Sequence, residues 1–169
     1  MKIFLIGFMG SGKTTIGRRL VERIGFDFVD TDSFIEMQQG STVSEIFARF
    51  GEVAFREMER CILQEIQKLE YAVVSTGGGM PCFGDNMDVM LASGKVVYLK
   101  TSPQALTRRL LRSRIERPLI KGKTEKELEQ FIVEKLAERE PFYNRAHIIV
   151  QTEHFSMENL LHSLNLLKR

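Results

Sequence analysis

Three sets of residues in this chain have the types and spacing to do chemistry. The first is Gly7-x-x-x-x-Gly12-Lys13-Thr14. A triphosphate needs many donors close together, and backbone N–H groups supply them only where side chains leave room. Glycines at 7, 10 and 12 let a loop curl around phosphates. A helix that follows points its positive end at the anion. In this pattern Gly10, Ser11, Gly12, Lys13, Thr14 and Thr15 would cradle a nucleoside triphosphate. Lys13 would reach the β- and γ-phosphates, and the Thr14 hydroxyl would ligate Mg²⁺.

The second set is Asp30-Thr31-Asp32. Mg²⁺ takes oxygen ligands and keeps several waters, so a single carboxylate acting through water, Asp30, suffices. Asp32 is then free to accept a proton from a substrate hydroxyl or to orient it. The alternative is that Asp32 only caps a helix at Ser33. The third set is Gly77-Gly78-Gly79 with the arginines 56, 117 and 139. Three glycines at a strand exit suit a backbone that must approach a ligand closely, or else a plain flexible turn. Arg117 sits in a polar, basic stretch that could close as a lid and place a guanidinium against a moving phosphoryl group. A solvated charge run is the other reading. By position alone, Arg56 reads as a surface partner of Glu52 or Glu59, and Arg139 as a dipole partner at a helix end.

The elements that must hold these groups follow from hydrophobic patterning. Residues 3–6 form a short unbroken apolar run, as in a parallel strand covered on both faces. Residues 13–24 have helical spacing, with Ile16, Leu20, Val21 and Ile24 on one face. Further strands are expected at 26–29, 71–75, 95–99 and 147–150. Helices are expected at 33–39, from the capping box Thr42-Val43-Ser44-Glu45 to an interruption at Gly51, and from Glu52 through Phe55, Met58, Ile62, Ile66 and Leu69. Others cover 85–92, follow the Ser102-Pro103 cap to about 113, and run from a second capping box, Thr124 with Glu127, to just before Pro141. Ser156 caps a last helix carrying Met157, Leu160, Leu161, Leu164 and Leu167.

Strands alternating with helices imply an α/β, three-layer α/β/α sandwich around a five-stranded parallel sheet. Ligands of such sheets sit beyond the carboxyl ends of the strands. The phosphate loop, Asp30, Asp32 and glycines 77–79 all fall at such ends, so they should meet in one site. At 169 residues a single domain 1–169 is expected, with a substrate-binding segment at about 31–62 and a lid at about 112–124. A net charge of +2 gives no argument for nucleic acid or membrane partners. No apolar stretch approaches the roughly 18 residues of a membrane span. Cys61 and Cys82 have no metal or redox spacing, in keeping with two free thiols in a reducing cytoplasm. A cytoplasmic monomer is the expectation.

Taken together, the residues resemble the shikimate kinase family from end to end. The phosphate loop is shared by many proteins. The series Asp30-Thr31-Asp32, Phe55-Arg56-x-x-Glu59, Gly77-Gly78-Gly79, Arg117-Pro118-Leu119 and Arg139-x-Pro141-x-Tyr143, in this order, is specific. The resemblance implies ATP- and Mg²⁺-dependent phosphorylation of the 3-hydroxyl of shikimate, on the route to chorismate and the aromatic amino acids. It implies that Asp32 holds the ring hydroxyls, that Arg56 and Arg139 clamp the carboxylate, and that Gly78 offers a backbone contact. Arg117 and Lys13 would neutralise charge on the transferring group. A planar fork suits bidentate carboxylate binding, where lysine would not substitute. Adenine contacts are not assigned by the resemblance: Gln151-Thr152-Glu153-His154 lacks a clear basic residue, and Arg108, Arg109 and Arg112 are equivalent candidates. A gluconate or nucleoside monophosphate kinase would share the loop and lid but not need paired arginines. A nucleotide-dependent binding module would need no acceptor pocket.

Overall fold

The computed structural model describes residues 1–113 and 120–166. Its five parallel strands are β1 (Lys2–Ile6), β2 (Asp27–Asp30), β3 (Ala72–Ser75), β4 (Lys95–Lys100) and β5 (Ile148–Gln151), ordered 2-3-1-4-5. The helices are α1 (Lys13–Ile24), α2 (Thr31–Gln39), α3 (Val43–Gln67), α4 (Asn86–Ser93), α5 (Pro103–Arg112), α6 (Glu125–Tyr143) and α7 (Met157–Ser163). This is the α/β sandwich that the alternation of patterns implies.

The side-chain period of a strand sorts the core into two layers. Phe4 and Ile6 of β1, Ala72 and Val74 of β3, and Val96 and Tyr98 of β4 pack with Ile62, Met90, Leu106 and Ile132 on one face. Ile3, Leu5, Val73, Val97 and Leu99 pack with Ile16, Leu20, Leu160 and Leu161 on the other. Ile3 to Ile6 are all fully buried, which is why an unbroken apolar run was needed there. Because β1 pairs with β3 on one side and β4 on the other, three strand exits lie side by side around the phosphate loop.

Several boundaries differ from the sequence expectation. Strand β2 extends to Asp30, and α2 begins at Thr31 rather than at 33. The carboxylate that caps this helix is Asp30, whose Oδ1 accepts from the Ser33 amide at 3.3 Å. Asp32, the expected alternative cap, lies inside the first turn. Gly51 interrupts the helical run as expected, with φ 78° and ψ 175°, so α3 is two helices meeting at a kink. Helix α6 passes through Pro141 and closes with the Asn144 amide on Glu140 O at 2.8 Å. A proline near a helix end removes one internal bond but leaves the last turn intact. Both capping boxes, at Thr42 and Thr124, form. Helix α7 is shorter than expected, and Leu167 lies outside the described residues. Cys61 and Cys82 are free thiols. No helix among the described residues is long and apolar enough to cross a membrane.

Candidate functional site

A cleft of about 830 Å³ opens at the carboxyl ends of β1, β2 and β3. One side is the phosphate loop. Its glycines take conformations that L side chains avoid: Gly10 has φ +82° and Gly12 φ +97°. Lys13 lies inside the curl, Nζ donating to the carbonyls of Gly7 at 2.8 Å and Phe8 at 3.0 Å. The Ser11 hydroxyl is buried in the loop with no hydrogen-bond partner. A stranded donor is unfavourable unless an acceptor arrives, and a phosphate oxygen is such an acceptor. Arg109 of α5 reaches across the rim, donating at 3.3 Å to both Gly10 O and Ser11 O. Its other nitrogen donates to Thr152 Oγ1 at 3.5 Å. Of the three arginines left open as base contacts, Arg109 is the one lining the cleft.

At the loop's far end the Thr14 hydroxyl donates to Asp30 Oδ2 at 2.8 Å and lies 3.3 Å from Ser75 Oγ. Two hydroxyls and one carboxylate form a sparse, hard-oxygen set beside the phosphate cradle. That chemistry fits Mg²⁺, which retains water and substrate oxygens rather than filling a protein cage. Among the described residues no cluster of three or more metal-binding side chains exists.

The other side of the cleft is made of side chains. Thr31, fully buried, accepts from the Gly77 amide at 2.8 Å and ties the exit of β3 to the start of α2. The three glycines need space more than freedom. A Cβ on Gly77 would stand 2.7 Å from Asp32 Oδ1 and 2.8 Å from Glu59 Oε1; on Gly79 it would stand 2.8 Å from the Arg56 guanidinium; on Gly78, 3.3 Å from Arg139. The turn is not loose, since Met80 N donates to Gly77 O at 3.1 Å and Cys82 N to Gly79 O at 2.9 Å. Asp32, Arg56, Glu59 and Arg139 therefore converge on one glycine turn.

Arg56 is not a surface ion pair. Its guanidinium donates to Glu59 Oε2 at 2.7 Å and to Glu52 Oε1 at 2.8 Å. It also stacks over Phe83, 3.9 Å from the ring centre. Glu59 is fully buried, and its Oε1 has no hydrogen-bond partner. Burial pushes its carboxyl up to about 7; Arg56 pulls it down, Asp32 adds to the rise and Arg139 opposes it. Arg139 projects from α6 over the Phe8 ring at 5.4 Å, near the end of its helix but facing the cleft rather than acting only on the dipole.

Sequence reasoning gave no role to Phe83, took Glu59 only as a partner of Arg56, and left Arg109 as one of three equivalent candidates for a base contact. A signal existed for Glu59, which falls on the buried stripe between Phe55 and Ile62. A carboxylate at such a position needs a partner. Phe83 and Arg109 follow no period, and only the folded chain reveals them. Arg117 lies outside the described residues.

A family model described as shikimate kinase matches residues 9–166. A shikimate kinase of Azobacteroides pseudotrichonymphae is 48% identical over 164 residues, 96% of each chain. The crystal structure of a shikimate kinase from Bacteroides thetaiotaomicron superposes with a TM-score of 0.89 at 41% identity, covering 98% of this chain and 94% of that one. A shikimate kinase from Acinetobacter baumannii, solved in complex with shikimate, gives 0.86 at 35% identity, covering 97% and 90%. The chain belongs to the shikimate kinase family of ATP-dependent phosphotransferases.

Proposed function

We propose that this chain transfers the γ-phosphoryl group of ATP to the 3-hydroxyl of shikimate, using the two unlike sides of the cleft for donor and acceptor. The observation that carries the reading is the convergence of two guanidinium groups and a carboxylate, Arg56, Arg139 and Asp32, on the glycine turn beside the phosphate loop. The A. baumannii relative, bound to shikimate, supports this acceptor.

On this reading Lys13 exchanges its two carbonyl partners for phosphate oxygens, while the amides of Gly10 to Thr15 and the Ser11 hydroxyl hold the rest of the chain of phosphates. Thr14 and Asp30 would hold Mg²⁺, Asp30 through water. Held there, Mg²⁺ would supply positive charge against the phosphates. Arg56 and Arg139 take the substrate carboxylate as two forks. With that end fixed, the ring hydroxyls fall to Asp32, which orients the attacking one and accepts its proton. Gly77, Gly78 and Gly79 supply the floor. Arg117 is kept as the lid cation on the moving phosphoryl group. Since both sides of the cleft belong to one chain, the monomer is the working unit of this proposal.

A coupled assay offering shikimate, gluconate and nucleoside monophosphates in turn tests the assignment. Turnover with shikimate at least about a hundredfold above the others, or roughly 2.7 kcal/mol of discrimination, is expected. Preferred turnover of either competitor overturns it.

A further inference from the structure

Tyr143 is the largest side chain touching the glycine turn that the proposed chemistry does not use. It is fully buried at the end of α6. Its hydroxyl donates to Gly78 O, and the guanidinium of Arg139 donates toward the phenol oxygen. Its ring packs on Tyr98 at 5.0 Å between centres, and Tyr98 in turn donates to Glu140 at 3.3 Å.

The backbone shows what this contact controls. A peptide plane between two glycines rotates easily unless both its groups are tied. The plane joining residues 77 and 78 is fixed through Gly77 O, which accepts from Met80 N. The plane joining 78 and 79 is fixed through Gly78 O, and the Tyr143 hydroxyl is what holds it. The first plane sets the direction of the Gly78 N–H and the second that of the Gly79 N–H. Both residues line the cleft. The phenol oxygen also accepts from the guanidinium proposed to grip the acceptor, so one phenol adjusts a backbone donor and a side-chain fork together.

We propose that Tyr143 is a positioning residue for the acceptor, its hydroxyl locking the Gly78–Gly79 peptide and the Arg139 fork into one carboxylate-binding geometry. This rests on the assignment of the glycine turn and Arg139 to the acceptor. The Tyr143 hydroxyl bonds to the glycine turn and Arg139, so its effect falls on acceptor affinity. A bond of this kind contributes about five- to tenfold.

The test is steady-state kinetics of Tyr143→Phe, which removes one oxygen and keeps the ring. The expected result is a shikimate KM raised about five- to tenfold, with kcat and the ATP KM within about twofold. Tyr143→Met, a smaller apolar filler, serves as a second variant and gives the same split. Tyr98→Phe, which breaks the neighbouring hydrogen bond instead, leaves both KM values within about twofold and controls for core damage. An unchanged shikimate KM in Tyr143→Phe, or a loss shared equally by both substrates, overturns the proposal. Arg139→Ala separates the two levels. If it raises the shikimate KM while Tyr143→Phe does not, the positioning role alone fails. If it leaves that KM unchanged, the acceptor assignment fails with it.

Discussion

The two sides of the cleft are built on opposite principles. The phosphate side is one contiguous loop, curled around Lys13 and turned by glycines at 7, 10 and 12. The glycine turn is also backbone, yet there the surrounding space is taken by side chains from α2, α3 and α6. Adding a methyl group to Gly12 would meet only Ile16, at 3.8 Å, but in a strained conformation, whereas at Gly79 the backbone is ordinary and the obstacle is Arg56 at 2.8 Å. Glycine thus serves dihedral freedom on one side and clearance on the other. A phosphate chain offers many equivalent oxygens that repeated amides can satisfy. A ring carrying one carboxylate and several hydroxyls needs different groups at fixed distances.

Substitutions can break this division or sharpen it. The largest effect is expected for Asp32→Asn. Turnover falls roughly 10²- to 10⁴-fold, the range for a lost general base, while ATP affinity measured by calorimetry stays within about twofold. Wild-type turnover in that variant removes Asp32 from the chemistry. Next is Gly79→Ala, whose new methyl displaces the Arg56 guanidinium. The shikimate KM rises about tenfold or more, equivalent to roughly 1.4 kcal/mol, and the ATP KM holds. Parallel loss for both substrates would show that the sides are mechanically continuous.

The smallest effect concerns stability. The Glu59 carboxyl in the folded protein titrates at about 7, above its ordinary 4.5, chiefly because it is buried. A raised value means that the folded state holds the proton more tightly than the unfolded chain. The associated stabilisation is present below 4.5 and is lost as pH climbs through about 7. Glu59→Gln lacks that dependence. Its melting temperature relative to the parent therefore rises by a few degrees between about pH 5 and about pH 8. A constant difference across that interval would contradict the buried, proton-retaining carboxyl.

The same contrast explains what could be read from the sequence. The phosphate loop is legible because its function and its spacing are local. The sheet was legible because fully covered strands leave unbroken apolar runs at 3–6 and 72–74, and because strand exits in a parallel sheet collect at one edge. Asp30 and Asp32 were placed at such an exit, though which of them capped α2 depended on where β2 stopped, a matter of one or two residues. Arg56 and Arg139 looked structural in isolation. Their meaning comes from a meeting between α3 and α6, 83 residues apart in the chain, that no local pattern encodes. Glu59 was the intermediate case, visible as a misplaced charge on an apolar stripe but uninterpretable until Arg56, Asp32 and Gly77 surrounded it. Gly77 to Gly79 were read as a place where backbone approaches a ligand; the groups that crowd them in the fold are the protein's own carboxylates and guanidiniums.

The central place of β1 has a consequence for synthesis. The strand that launches the nucleotide cradle leaves the ribosome before both its sheet neighbours, β3 at Ala72–Ser75 and β4 at Lys95–Lys100. Until those segments emerge, β1 is an apolar ribbon with unsatisfied edges, and the loop behind it has nothing to anchor its shape. Arg139 emerges later still. A nascent chain must therefore extend past β3 and β4 before the cradle can hold its shape, which leaves the apolar segment of β1 in need of shielding until then.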